Sequence, residues 1–320
     1  MACIICADVT FSYALRFLGP VLVLMANGLI GLCVYVYLWY LVPNYLNPIC
    51  GVGVTGVIVV FGLFLLFNIL YNYWSCVLTK PGFPSSQLPP LEDLEAGTDF
   101  SDYGEGWRTC RKCKTGKPPR THHCSVCRRC VMKMDHHCPW VNNCVGFYNY
   151  KYFCLFLIYT AAGCLYTVLT CGFALVVPSP LGRRREQTIV FVFVLTLSVL
   201  FALTLFILWH TYLVATNQTT IEFYSNRMDS AEARRRGERW VNPFSIGMRG
   251  NFEQVFGMSR CAPEGDPPII HTKIQTVVAR VRVGCAQEHL LVAAAESKAT
   301  AGRRDGIPTQ SGTGAGQHCT

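Results

Sequence analysis

Residues 110–153 read CRKCKTGKPPRTHHCSVCRRCVMKMDHHCPWVNNCVGFYNYKYF, and this stretch decides how the rest of the chain is interpreted. It contains seven of the 18 cysteines of the protein, together with four histidines. The cysteines are Cys110, Cys113, Cys124, Cys127, Cys130, Cys138 and Cys144, and the histidines are His122, His123, His136 and His137. A segment so rich in Cys, His, Pro and Gly cannot build an ordinary apolar core, so it needs cross-links or metal ions.

The sequence on both sides of this stretch is strongly apolar. Of the 320 residues, 51% are apolar and only 15% are charged, whereas soluble domains carry about 25% charged residues. Four apolar runs equal or exceed the roughly 20 residues that cross a bilayer. They are Leu15–Val42, Gly51–Leu78, Tyr152–Val177 and Thr188–Thr216. We therefore predict an all-α integral membrane protein with four transmembrane helices and an irregular cysteine-rich module.

The distribution of Lys and Arg predicts the orientation, because basic loops are retained in the cytosol. Residues 80–151 hold 11 of the 28 basic residues, the segment after Thr216 holds 13, and the predicted loop Pro43–Pro48 holds none. We expect both termini and the module in the cytosol, in a multi-pass protein of the Golgi, the ER or the plasma membrane. The Arg183–Arg185 cluster disagrees with this orientation, because it would lie in the second loop on the side of the membrane away from the cytosol.

Either disulfides or metal ions can hold the module together, depending on the redox compartment. The expected cytosolic orientation favours metal. Cys110 with Cys113, and Cys124 with Cys127, have the CxxC spacing of adjacent ligands on one tetrahedral zinc ion. Two structural zinc ions need eight of the eleven side chains and leave three of them unliganded.

A spare cysteine among basic residues and beside a spare histidine can be an activated nucleophile. In an extended stretch, His136 and Cys138 lie on one side, and His137 faces the other way, toward a metal. Asp135 can fix the tautomer of His136, by the logic of a Ser-His-Asp triad. On this reasoning alone, a purely structural zinc module with Asp135 as a surface charge stays open.

The 110–153 stretch resembles the cysteine-rich domain of the DHHC protein S-acyltransferases, and DHHCPW at residues 135–140 is the most specific part of the match. Thr219-Thr220-Ile221-Glu222 resembles the TTxE motif of that family. More weakly, NPFSIGMRGNFEQVFG at residues 242–257 resembles its C-terminal motif, with Asn251 at the characteristic asparagine. The resemblance covers about residues 15–257 and includes the position of the module between the second and third spans.

The resemblance implies a palmitoyltransferase that moves a long-chain acyl group from acyl-CoA to protein cysteines. It implies Cys138 as the acylated nucleophile, His136 as the base and Asp135 as the carboxylate that orients the base. One zinc ion would be held by Cys110, Cys113, His123 and Cys130, and the other by Cys124, Cys127, His137 and Cys144. The expected partners are palmitoyl-CoA, the bilayer, and membrane-proximal proteins with cytosolic cysteines. We expect no nucleic acid, since the basic residues flank membrane spans.

Acyl-CoA combines a polyanionic head with an apolar chain. Lys117, Arg120, His122 and Lys133 are candidate phosphate contacts, although ordinary positive-inside charge explains each of them equally well. Trp140 suits an interfacial ring that touches the acyl chain. Gly163, roughly 16 Å into the bilayer, is predicted at the floor of an acyl cavity, with close helix packing as the alternative.

We divide the chain into six parts and find no internal repeat. These are 1–78 (N-terminus and two spans), 79–109 (cytosolic linker), 110–149 (zinc-binding DHHC domain), 150–216 (two spans), 217–260 (cytosolic motifs) and 261–320 (mostly disordered tail). Cys3 and Cys6 are candidates for acylation themselves.

Two other functions fit a membrane protein with zinc. An inactive scaffold would not need the unliganded Cys138 and His136. A RING-type ubiquitin ligase would need a longer C-x₂-C, C-x-H, C-x₂-C series of ligands, which this chain does not show.

Overall fold

The computed structural model describes residues 2–84, 107–178 and 182–257, with side chains from residue 12 onward. The predicted tail 261–320, most of the predicted linker and the side chains of Cys3 and Cys6 lie outside the described residues. The described helices are α1 (Ala2–Val36), a π-helix (Tyr37–Leu46), α2 (Asn47–Leu78), α3 (Tyr150–Val176), α4 (Arg183–Ala215), α5 (Thr220–Arg235) and α6 (Met248–Phe256).

Among the described residues, three helical stretches are long and apolar enough to cross a membrane. They are Ser12–Leu78, Tyr150–Val176 and Arg183–Ala215. The prediction of a mainly helical membrane protein is therefore confirmed. The count of four spans is not confirmed, because the first two predicted spans form one helical stretch of 67 residues.

The predicted loop Pro43–Pro48 is wrong, since these residues are helical. Pro43 lies inside the π-helix, and Pro48 lies in the first turn of α2, where a missing N–H costs little. The departure from helical geometry comes at Gly51, with φ 75° and ψ 163°. Glycine adopts this conformation readily because it has no Cβ.

Both ends of the 67-residue stretch lie against adjacent residues of the module. In α1, a Cβ added to Gly19 would lie 2.2 Å from the side-chain oxygen of Asn142. At the end of α2, the Asn143 amide donates hydrogen bonds to the carbonyls of Cys76 (3.2 Å) and Thr79 (2.9 Å). These carbonyls belong to the last turn, whose groups have no partner within the helix. The module therefore caps α2.

The module itself contains three antiparallel β-hairpins, so the prediction of an irregular module in an all-α protein is wrong for these residues. The strands are β1 (Arg108–Cys110), β2 (Thr115–Lys117), β3 (His122–Cys124), β4 (Arg129–Val131), β5 (His136–Cys138) and β6 (Asn143–Val145), paired in sequence order. Three-residue strands carry no hydrophobic alternation long enough to be recognised in the sequence.

The module and the helices share one buried cluster around Cys138. It includes Tyr73 of α2, Val141 and Val145 of the module, and Phe153 of α3. The Tyr73 hydroxyl also donates a 2.9 Å hydrogen bond to the backbone carbonyl of Trp140. The turn that follows Cys138 is thus fixed to α2.

Candidate active site and metal centres

The three hairpins repeat every fourteen residues. Cys110, Cys124 and Cys138 each end the first strand and pair with the residue five positions later. The residue four positions after each cysteine has a φ near 50°, and these residues are Lys114, Arg128 and Asn142. The sequence-based statement that there is no internal repeat is therefore wrong, because the residues between the fixed positions differ and hide the period.

The first group of metal-binding side chains joins hairpins one and two. Cys110 and Cys113 come from the first hairpin, and His123 and Cys130 come from the second. The His123 Nδ1 atom lies 3.6 Å from the Cys110 Sγ and 3.1 Å from the Cys113 Sγ. The Sγ atoms of Cys113 and Cys130 are 3.8 Å apart. Ligands about 2.3 Å from one tetrahedral zinc ion are about 3.7 Å from each other, so the donor set fits zinc.

The second group joins hairpins two and three in the same way. Cys124 and Cys127 come from the second hairpin, and His137 and Cys144 come from the third. The His137 Nδ1 atom lies 3.4 Å from the Cys127 Sγ and 3.6 Å from the Cys144 Sγ. The two thiol sulfurs are 3.5 Å apart. The interleaving of the two sets along the sequence follows from this repeated use of adjacent hairpins.

The third hairpin departs from the pattern at one position. Cys138 corresponds to Cys110 and Cys124, but Val141 stands where the other two hairpins have the second cysteine of the pair. Cys138 belongs to neither of the two metal-binding groups. It is buried, with 8% of its surface exposed, and its thiol interacts with the side chain of His136.

Asp135 and His136 form a close pair beside this cysteine. The His136 Nδ1 atom lies 2.6 Å from the Asp135 Oδ2. Asp135 is 1% exposed, and it also accepts hydrogen bonds from the backbone N–H (2.8 Å) and the hydroxyl (3.0 Å) of Thr220. The Asp135 carboxylate therefore has three donors, and the remaining nitrogen of His136 is directed toward Cys138.

The electrostatics of the pair favour the charged forms. Burial alone would lower the pKa of His136, but its hydrogen bonds to Asp135 and Cys138 raise the pKa to about 9. Burial would likewise raise the pKa of Asp135, yet the bonds from His136 and Thr220 hold it below its ordinary value. At neutral pH the pair is an imidazolium and a carboxylate, and the imidazolium can stabilise a neighbouring thiolate.

His210 lies close to this pair, although it is not among the site residues predicted from the sequence. Its ring is 6.1 Å from that of His136 and 5.2 Å from that of Phe153. The His210 Nδ1 atom is 3.0 Å from the hydroxyl of Tyr150. No sequence signal marks this contact, because Tyr150 and His210 are sixty residues apart on different helices.

The predicted TTxE motif links α5 to the module. Thr219 and Glu222 form a capping box at the start of α5, each side chain bonding the backbone N–H of the other. Glu222 also accepts two hydrogen bonds from Arg120, at 2.7 and 2.6 Å. Asn251 is 1% exposed and donates to the carbonyl of Ala215 at the end of α4. The motif residues therefore serve structural contacts.

The four candidate phosphate contacts differ in burial and in whether other protein groups already bind them. The Arg120 side chain is 3% exposed and bonds Glu222 and Asn217, so its guanidinium already has protein partners. Burial is the main reason that the pKa of Lys133 is lowered to about 7, and the nearby positive charge of Arg120 lowers it further. Lys117 and His122 are partly exposed on neighbouring hairpins. These two are better placed than Arg120 to meet a phosphate.

An apolar cavity of about 720 Å³ begins at Cys138 and continues between the helices. Its lining includes Cys138, His136, Trp140, Phe153, Gly163 and Tyr166. Tyr166, one turn beyond Gly163 on α3, hydrogen-bonds to Tyr37 and to the Ile58 carbonyl. Gly163 therefore lies on the cavity wall, and the lining continues past it.

Comparison with known proteins agrees with this site. The protein-family model described as DHHC palmitoyltransferase matches residues 104–227. The chain is 38% identical over 276 residues to Probable protein S-acyltransferase 13 of Arabidopsis thaliana, covering 78% of this chain and 85% of that protein. It is 36% identical over 253 residues to Palmitoyltransferase ZDHHC15 of Xenopus laevis, covering 71% and 72%.

Helices of membrane-spanning length beside a cysteine-rich module with two groups that could each hold a metal ion indicate a membrane protein with metal centres. With this identity and coverage, the chain belongs to the DHHC palmitoyltransferase family. It is accordingly an enzyme, a protein S-acyltransferase.

The repeat supplies a matched pair of variants for the metal centres. Cys124→Ala should release zinc, because it removes a ligand, whereas Cys138→Ala, at the equivalent position fourteen residues later, should retain two zinc ions per chain. Zinc content of the purified variants measures the difference. Loss of a zinc ion from Cys138→Ala would contradict the assignment of ligands.

The Arg120–Glu222 pair predicts a large stability effect. Arg120→Gln leaves a buried carboxylate without its cation and should cost about 3–5 kcal/mol, seen as a lower thermal midpoint in detergent. The control is Arg236→Gln, which breaks an exposed pair with Glu232 and should cost about 0–1 kcal/mol. Equal midpoints for the two variants would contradict the structural role of Arg120.

Proposed function

We propose that this acyltransferase works through a thioester intermediate on Cys138. The observation that carries the proposal is the position of Cys138. Of the three equivalent hairpin cysteines, it alone lies outside the metal-binding groups, and it stands beside His136 at the apolar cavity. An inactive scaffold would need neither the acid–base pair nor the cavity.

In the first step, the Cys138 thiolate attacks the carbonyl carbon of an acyl thioester. The bond from that carbon to the sulfur of CoA breaks, and the CoA sulfur takes the proton held by His136. In the second step, His136 accepts the proton of a substrate cysteine, whose sulfur attacks the acyl carbon. The bond to Cys138 then breaks and the thiolate returns. Asp135 keeps the His136 ring oriented through both steps.

We further propose that both metal-binding groups hold zinc in a structural role. Each group supplies four Cys and His donors, which leaves no open position of the kind that catalytic zinc uses. Bound zinc would contribute cross-links between successive hairpins. The chain's own residues provide the nucleophile and the base.

The proposed acyl donor is a long-chain acyl-CoA. The cavity is lined almost entirely by apolar side chains, and at about 0.8 kcal/mol per buried CH₂ a palmitoyl tail would gain roughly 10 kcal/mol inside it. Lys117 and His122 are the proposed phosphate contacts. Arg120 is withdrawn from that role, because its donors already meet Glu222 and Asn217.

We also propose that the 67-residue helical stretch crosses the membrane twice, giving four spans in all. A straight helix of that length would be about 100 Å long, yet both of its ends contact the module, at Asn142 and Asn143. Positive φ at Gly51 supports a reversal there. Four spans would place residues 80–151 and the segment after Thr216 on the same side of the membrane. Because both segments are rich in Lys and Arg, we propose that this side is cytosolic. The protein substrates would then be membrane-proximal proteins with cytosolic cysteines.

Autoacylation tests the nucleophile. Purified enzyme incubated with radiolabelled palmitoyl-CoA should carry hydroxylamine-labile label. Cys138→Ala should lose this label, and His136→Gln should lower the labelling rate about a hundredfold, the low end for loss of a general acid or base. Full labelling of Cys138→Ala would overturn the proposal.

Chain-length preference tests the cavity. Gly163→Phe should shift autoacylation from C16 and C18 toward C12 and C14 acyl-CoA, because Gly163 lines the cavity and a Cβ there already approaches Ile69 to 2.8 Å. Gly172→Phe is the control, since this residue of α3 does not line the cavity. An unchanged ratio in folded Gly163→Phe would eliminate its contribution to chain length.

A further inference from the structure

Helix α5 carries an exposed face with no assigned role. At 100° per residue, six positions of the helix fall within about 120° of its circumference. They are Tyr224, Arg227, Met228, Ala231, Arg234 and Arg235, and we call this set the α5 face. All six are exposed, with Tyr224 at 65% and Met228 at 73%.

Charge is segregated around the helix. The three acidic residues of α5 lie away from the α5 face: Glu222 is buried with Arg120, Glu232 pairs with Arg236, and Asp229 lies on the same side. Within the part of the chain that the structure describes, neither Arg234 nor Arg235 has an ion-pair partner. The α5 face is therefore both basic and apolar.

The start of α5 packs against aromatic residues near the end of α4. The ring of Phe223 packs edge to face against Trp209 at 4.8 Å and Tyr212 at 6.1 Å, near the end of α4. Aromatic residues at the end of a transmembrane helix mark the level of the lipid headgroups. Tyr224 follows Phe223 directly, and the guanidinium of Arg227 lies 5.6 Å from the Phe223 ring. The α5 face thus continues the aromatic belt of α4.

We propose that the α5 face binds the anionic phospholipid headgroups of the leaflet next to the module. A helix with exposed apolar residues and unpaired arginines on one face suits this surface, where apolar side chains enter the headgroup region and arginines meet phosphates and carboxylates. Because the α5 face adjoins the aromatic residues at the end of α4, we favour lipid headgroups over a soluble acidic protein as its binding partner.

The α5 face also bears on catalysis. Thr220, the first residue of α5, donates two hydrogen bonds to Asp135, and Glu222 in the same turn holds Arg120. Binding of α5 to an anionic surface would therefore stabilise the turn that orients the acid–base pair. This coupling rests on the proposed role of Asp135, whereas lipid binding itself does not.

Hydrogen exchange of the full-length enzyme in nanodiscs tests the binding. Amides of residues 224–235 should exchange more slowly in phosphatidylcholine with phosphatidylserine than in phosphatidylcholine alone. Each arginine near an anionic surface contributes about a fivefold factor in binding, so Arg234→Gln/Arg235→Gln should abolish the difference. High salt should weaken it.

The matched control is Arg183→Gln/Arg184→Gln, which removes the same charge from the opposite end of α4 and should leave the protection of α5 unchanged. Equal exchange in both lipid mixtures, or protection that survives Arg234→Gln/Arg235→Gln, would overturn the proposal and leave a soluble partner as the occupant.

Autoacylation in the same nanodiscs tests the coupling. The rate should rise with phosphatidylserine in the wild type and stay flat in Arg234→Gln/Arg235→Gln. Protection without a change in rate would overturn the coupling alone. Cys138→Ala should keep the lipid-dependent protection, so failure of the catalytic proposal and failure of the lipid proposal are distinguishable.

Discussion

The rest of the structure depends on how each hairpin of the module is tied to the next through four shared Cys and His donors. Three-residue strands have too few hydrogen bonds and too little apolar surface to persist alone. Because one hairpin supplies the CxxC pair and its successor supplies a histidine and a cysteine, metal ions held by the two groups would fix the three hairpins in order. A metal-binding group around Cys138 would need a fourth hairpin to complete it. It would also need a second cysteine at the position where Val141 stands. The position of a free thiol thus follows from where the repeat stops.

Asp135 connects this module to the helices. It lies one residue before His136 in the chain, and it receives two hydrogen bonds from Thr220, 85 residues later. The same turn of α5 binds Arg120 through Glu222. Displacement of α5 would therefore disturb the Asp135–His136 pair and the start of hairpin three together. The motifs that are separated in sequence form one hydrogen-bonded unit.

The sequence predicted what local spacing and composition determine, and missed what long-range contacts determine. The apolar runs identified the candidate membrane helices. The subtraction of eight ligands from eleven left three side chains, and the alternation of side chains in an extended stretch selected His136 and Cys138 as a candidate pair. The partner of Arg120 was not predictable, because a lone arginine near a phosphate-binding region has no marker for a carboxylate 102 residues away. Helical continuity through Pro43 was missed because proline normally ends a helix, and a π-helical turn is rare. The fourteen-residue repeat appeared only once strand pairing placed three cysteines at equivalent positions.

The location of Cys138 imposes opposite demands on its two chemical states. A thiolate at the edge of an apolar cavity is poorly solvated, so it needs a nearby positive charge, which His136 supplies because Asp135 and Cys138 raise its pKa to about 9. In the proposed acyl-enzyme the sulfur is neutral, and the same apolar wall would then favour the attached chain. His136 has by then given its proton to CoA, so the remaining charge is the Asp135 carboxylate, which two hydrogen bonds from Thr220 hold in place. Under the proposed mechanism, Cys138 can serve both states because its proton-transfer partner His136 belongs to the module, and the acyl chain would lie in the cavity between the helices.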